Sequence, residues 1–168
     1  MPDALAALSL PALAGLVFAF FGGLTAVNVA FGFAAERALP GRRVFAVPLP
    51  AGQLRHELVG NVVFVGVTTA AFTAALAAEI HRFGEETWLR AGLTFVALMF
   101  AFQAFYYWLH RAMHTKALLR FHRWHHTSQV TTALSAQSVS FVEAVGRMIG
   151  YVLIPAVLSW VFPISFWG

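Results

Sequence analysis

Five histidines crowd one short stretch of this chain. Residues 106–128 read YYWLHRAMHTKALLRFHRWHHTS, placing His110, His114, His122, His125 and His126 in the order H-x3-H, then H-x2-H-H. Residues three or four apart share a helix face. His110 therefore pairs with His114, and His122 with His125 or His126. Neutral imidazole ligates iron, zinc and copper, so the chemistry open to this cluster is that of a nitrogen-rich metal site. No Asp or Glu lies between His110 and His126, and the nearest acid beyond them is Glu143. That pattern sets aside the Glu-x-x-His plan of soluble di-iron bundles and the H-E-x-x-H of zinc proteases. The chain has no cysteine, so there is no thiolate site and no disulfide framework.

Convergence of the five depends on the backbone. On an ideal wheel of about 100° per residue, one straight helix would spread them over roughly 160°. A shared metal site therefore requires a bend, expected between Thr115 and Phe121. A lone H-x3-H is common in ordinary helices. The second cluster at a tight interval is what turns the reading from a solvated basic connector to a metal site. Arg111, Lys116, Arg120 and Arg123 fit a headgroup-facing surface and are given no catalytic role.

The elements that must position the cluster are membrane helices. The chain is 60% hydrophobic and 11% charged, against about a quarter charged in soluble domains. A spanning helix needs about 20 apolar residues. Residues 4–35 carry no charge, and the first span is expected at about 11–33, opened by Ser9 and Pro11. Residues 58–78 and 91–109 form two further runs. A fourth, 148–167, is interrupted at Pro155 and at Phe162-Pro163-Ile164-Ser165. The expected fold class is therefore all-α: an integral membrane bundle of about four transmembrane helices with a histidine-rich helical segment at one surface. With no Lys or Arg ahead of the first run, a signal peptide lacks its basic n-region.

Lys and Arg set the orientation. Arg37, Arg42, Arg43 and Arg55 fall in the first connection, where Pro40-Gly41 marks a turn. Arg82 and Arg90 fall in the second, EIHRFGEETWLR. Five more fall in 110–147. If the first three runs span, nine basic residues share one side and two the other. The positive-inside rule then puts the histidines on the cytoplasmic surface and the N-terminus outside. The net charge of +4 is explained by this split, not by nucleic-acid binding. His56, alone beside Arg55, is expected to be a surface residue, and His81 falls on the far side. Phe121 and Trp124 are expected to pack. Gln103 and Asn28, inside spans, are expected to hydrogen-bond between helices.

The motifs YYWLHRAMH and FHRWHH, followed by TTALSAQS and an apolar segment, resemble the fatty acid hydroxylase / sterol desaturase superfamily. The resemblance covers about residues 55–168 and is sharpest at 105–126. It divides the chain into 1–54, an N-terminal helix and loop, and 55–168, a hydroxylase-like membrane domain. Members are membrane di-iron oxygenases with three histidine clusters. Carried over, His110 and His114 are ligands of the first cluster, and His122, His125 and His126 of the second. The implied reaction is O2-dependent oxidation of an unactivated lipid C–H bond, giving an alcohol or an alkene, with a di-iron centre as cofactor. The implied partners are a lipid from the bilayer (sterol, fatty acyl or related) and a separate NAD(P)H-linked electron donor, since no flavin or nicotinamide fingerprint occurs. The implied location is the inner membrane of a bacterium or the endoplasmic reticulum of a eukaryote.

Two departures stand out. Many members carry His-Pro shortly before a Glu, where this chain has Ser140-Phe141 before Glu143. The third H-x2-H-H is absent, so the resemblance implies a piece of a longer protein. Two other functional classes compete. A metal transporter would want polar ligands within the spans, where here they are few. A non-catalytic member of the same family would keep the fold without the activity.

Overall fold

In the computed structural model, residues 3–39, 41 and 47–167 are described; Pro40, Arg42, Arg43 and Gly168 lie outside them. After a single turn, α1 (Asp3–Ala6), come α2 (Leu10–Ala38), α3 (Gln53–Ala77), α4 (Trp88–Met113), α5 (Leu119–His126) and α6 (Phe141–Val161). Helices α2, α3, α4 and α6 are each long and apolar enough to cross a membrane. The described residues form no strand, only an isolated bridge between Phe83 and Ile164. The fold is all-α, as the long uncharged apolar runs lead one to expect.

The spans exceed their apolar runs because charged residues sit at helix ends. Ser9 precedes α2, with Pro11 in its first turn, and the helix continues past residue 33 through Glu36 and Arg37. The larger difference is in α6. It starts at Phe141, seven residues before the apolar run, because Ser140 caps it: the Ser140 hydroxyl accepts from the Glu143 N–H at 3.2 Å. This is half of a capping box. Helix α6 also continues through Pro155. A helix proline forfeits one backbone hydrogen bond, a loss that spanning helices tolerate when neighbours compensate. The break falls instead at Phe162.

The main helix contacts run from α2 to α3, α3 to α6, and α6 to α4. With lipid outside, apolar burial alone does not drive these contacts, and small residues let backbones approach. Gly150 lies against Phe105 of α4, where an added Cβ would come 2.2 Å from a ring carbon. Gly60 of α3 lies against Ser138 and the Val139 N–H, where a Cβ would come within 2.8 Å of backbone atoms. Large apolar side chains such as Phe18, Phe31, Val62, Phe100 and Val157 face outward and stay exposed, as a lipid-facing surface requires.

Side-chain contacts fix the alternation of ends. At one end, the Gln53 amide donates to the Val130 carbonyl, and Asn61 Nδ2 donates to the Leu134 carbonyl at 2.8 Å. At the other end, residues 163–166 dock on the connection before α4. The Ile164 N–H donates to the Arg82 carbonyl, and the Phe166 N–H to Glu86 Oε1 at 2.7 Å. The Glu86 carboxyl is held below the usual range, first by the Ser165 hydroxyl and then by that Phe166 N–H. His81 belongs to this second end, contacting the Val152 carbonyl at 3.1 Å, far along α6 from the histidine cluster.

Candidate metal centre

The chain bends where α4 ends. His114 caps α4, a turn through Thr115–Leu118 follows, and α5 begins at Leu119. The Thr115 hydroxyl donates to the Ala112 carbonyl, and the Leu118 N–H to the Thr115 carbonyl. These bonds satisfy carbonyls that a helix end leaves orphaned. The bend brings α5 back over the end of α4, so all five histidines meet.

Ring centroids are 4.7 Å apart for His110 and His122, 4.9 Å for His114 and His122, and 4.6 Å for His122 and His126. His125 stacks on His122 at 5.5 Å. His122 is the hub, and it is fully buried. His110, His114 and His122 each offer a ring nitrogen, all within 4.8 Å of one another. Two nitrogens at about 2.1 Å from a shared ion are at most about 4.2 Å apart. The triad thus stands close to coordination spacing, its widest edge slightly long.

Two features mark these rings as metal-ready. Histidine ligands usually donate their second N–H to a carboxylate or carbonyl, which fixes the tautomer. His122 Nδ1 donates to Glu143 Oε2 at 3.0 Å, and His125 Nδ1 to the Ser138 carbonyl at 3.2 Å. Each leaves its Nε2 lone pair free. His122 Nε2 and His110 Nδ1 are buried with no hydrogen-bond partner, a costly state for a polar atom that a bound cation would relieve. His110 Nε2 and His114 Nε2 face each other at 3.2 Å. Partial desolvation, and then the nearby His122, His114 and His125, hold His126 below the usual histidine range, with Glu143 pulling the other way. The neutral, ligating form is favoured.

Glu143 is the residue that spacing alone missed. It is 1% exposed and joins three elements. One oxygen accepts from His122 of α5, and the other from Arg147 Nη2 at 2.8 Å. Arg147 Nη2 also donates to the Tyr106 hydroxyl of α4 at 3.3 Å. The sequence did carry a signal, the Ser140-x-x-Glu143 cap that places both residues in the first turn of α6.

Trp124 packs, as expected, but on His56: the rings stack at 4.0 Å, and His56 Nε2 donates to the Trp124 carbonyl at 2.9 Å. His56 is therefore a brace for α5 from α3 and not a free surface residue. Gln103 and Asn28 are both exposed, and their side chains make no hydrogen bond to another described residue. Among span residues it is Asn61 of α3 whose side chain is bonded, to the Glu57 carbonyl of its own helix and to the Leu134 carbonyl in the loop after α5.

Residues 95–168 match the family model for fatty acid hydroxylase. Over this segment the chain is similar to fatty acid hydroxylases. The matched segment contains the five clustered histidines, Glu143 and Arg147, while α2 and α3 precede it. Comparison with curated proteins and with solved structures gave no match. The chain is thus a multi-pass membrane protein whose family-matching part carries the histidine site.

Proposed function

We propose that the protein is a membrane-bound di-iron oxygenase that hydroxylates or desaturates a lipid C–H bond. It would use O2 and electrons from a separate NAD(P)H-linked donor. The observation that carries this reading is the buried, unpartnered Nε2 of His122 at the centre of five converging imidazoles, within the segment that matches the family. His110, His114 and His122 would hold one ion. His125 and His126 would contribute to a second, whose shell needs further ligands. Iron bound there would supply oxidation of an unactivated C–H bond by dioxygen.

The chain's own residues set the conditions. Glu143 keeps the His122 proton on Nδ1 and makes the opposite nitrogen a better ligand. Arg147 neutralises Glu143 in a buried setting where an unpaired carboxylate would be costly. The Ser138 carbonyl does for His125 what Glu143 does for His122. The cluster lies where α4 leaves its apolar run, so a lipid can approach sideways. Arg37, Arg55, Arg111, Lys116, Arg120 and Arg123 share that end, which supports a cytoplasmic placement under the positive-inside rule.

The test is a reconstituted assay with ferrous iron, a reductase system, isotopically labelled O2 and a panel of lipids, read by mass spectrometry. The expected product carries one labelled oxygen atom or lacks two hydrogens, and needs both O2 and reductant. Metal-loaded protein that yields no O2-dependent product across the panel would favour a metal-binding role instead.

A further inference from the structure

A groove of about 420 Å³ runs between α4 and α6, walled by Phe95, Met99, Phe102, Gln103, Tyr106 and Arg147 among others. We propose that this groove binds an uncharged lipid, its hydrocarbon lying toward Phe95 and a hydroxyl or carbonyl oxygen held at Gln103, Tyr106 and Arg147. The proposal rests on the oxygenase reading only for its purpose, since the binding itself follows from the groove.

The volume is that of a small-ligand site. From Phe95 to Tyr106 the groove follows α4 for about 16 Å, at 1.5 Å per residue. Its Phe95 end is apolar and reaches toward the middle of the span. Toward its other end lie Gln103, Tyr106 and Arg147, with Tyr106 against His110 of the metal centre, and Tyr151 of α6 sits on the wall against Phe102. Gln103 and Tyr106 stand three apart on α4 and share a face. Arg147 comes from α6 and is 7% exposed. This polarity is incompletely answered by protein. Gln103 is an exposed amide in an apolar span with no protein partner among the described residues. An amide left unbonded in hydrocarbon is costly, and an oxygen-bearing ligand would satisfy it.

Charge decides the class of ligand. Among the described residues on the groove wall Arg147 alone is ionised, and its guanidinium already answers Glu143 at 2.8 Å. The pair is neutral as a whole. A carboxylate head would enter with no spare cation to meet it, and a quaternary ammonium would meet Arg147. An uncharged oxygen group fits, because Gln103 can both donate and accept.

The test is photolabelling of the purified protein with two diazirine probes of equal chain length, a fatty alcohol and a fatty acid. Each is competed by its unlabelled parent, and iron is measured in every sample. The expected result is saturable labelling by the alcohol within residues 95–106 or on α6, with the acid at least about tenfold weaker. Gln103→Leu should weaken alcohol labelling about tenfold, the equivalent of one hydrogen bond at about 1.4 kcal/mol. Met99→Trp should remove it by filling the groove. Iron content should be unchanged in both variants, since each site lies at least seven residues before His110. Equal labelling by both probes, labelling that does not saturate, or labelling insensitive to Gln103→Leu would overturn the proposal. So would a crosslink showing a second copy or another helix seated in the groove. Labelling intact without iron would instead contradict the oxygenase reading alone.

Discussion

Replacing Glu143 with alanine should cost the fold about 3–5 kcal/mol, the range for removing one partner of a buried ion pair. The change strands Arg147, which is 7% exposed, and leaves the Nδ1 proton of the fully buried His122 without an acceptor. It also cuts the side-chain link between α5 and α6. The melting temperature in detergent should fall well below that of the native protein. Glu143→Gln keeps the shape and one acceptor oxygen but removes the charge. It should stay folded and bind metal about 10–100-fold more weakly, as losses of outer-shell partners do. A native melting temperature for Glu143→Ala, together with native metal affinity for Glu143→Gln, would mean that Glu143 is a bystander.

The second large effect is at Glu57, on the opposite wall of the same end. Its carboxyl is fully buried. It accepts from Gln53 Nε2 at 2.8 Å, from the Ser135 hydroxyl at 2.8 Å and from the Thr132 hydroxyl. The two hydroxyl bonds tie the loop between α5 and α6 to α3. The same loop supplies the Ser138 carbonyl that orients His125. Glu57→Ala strands the Thr132 and Ser135 hydroxyls, each costing about 1–3 kcal/mol when buried and unmade, and leaves Gln53 with its Val130 bond alone. The expected result is a protein that is poorly folded, or folded with residues 128–138 released. Hydrogen exchange reads this directly: those amides should lose protection while α2 and the middle of α4 keep theirs. Unchanged protection of the loop in Glu57→Ala would rule out this anchoring role.

Much of this architecture was legible in the sequence because the bilayer imposes simple demands. Four charge-free runs gave four spans, and five histidines spread over too wide an arc called for a bend at 115–121; the turn lies at Thr115–Leu118. Less visible was what holds the bend in place. His122 and Glu143 are 21 residues apart, and their contact depends on how α5 packs against α6, which no periodicity reports. The start of α6 was misplaced because Glu143 and Arg147 break the apolar run, yet they neutralise each other inside the bundle. His56 looked like a surface residue because its partner Trp124 is 68 positions away. Gln103 looked like a helix–helix contact because a polar residue in a span usually is one. Instead it opens on a groove.

Metal content per chain, read by mass spectrometry after anaerobic loading with ferrous iron and removal of excess, reports directly on the histidine site. Native protein, His114→Ala, His122→Ala and His81→Ala are compared, each checked for a folded elution profile. The metal-centre account predicts bound iron in the native protein and in His81→Ala, whose histidine sits at the far end of the bundle. It predicts loss of that iron in His114→Ala and His122→Ala. No iron in folded native protein, or equal iron in all four, would contradict it.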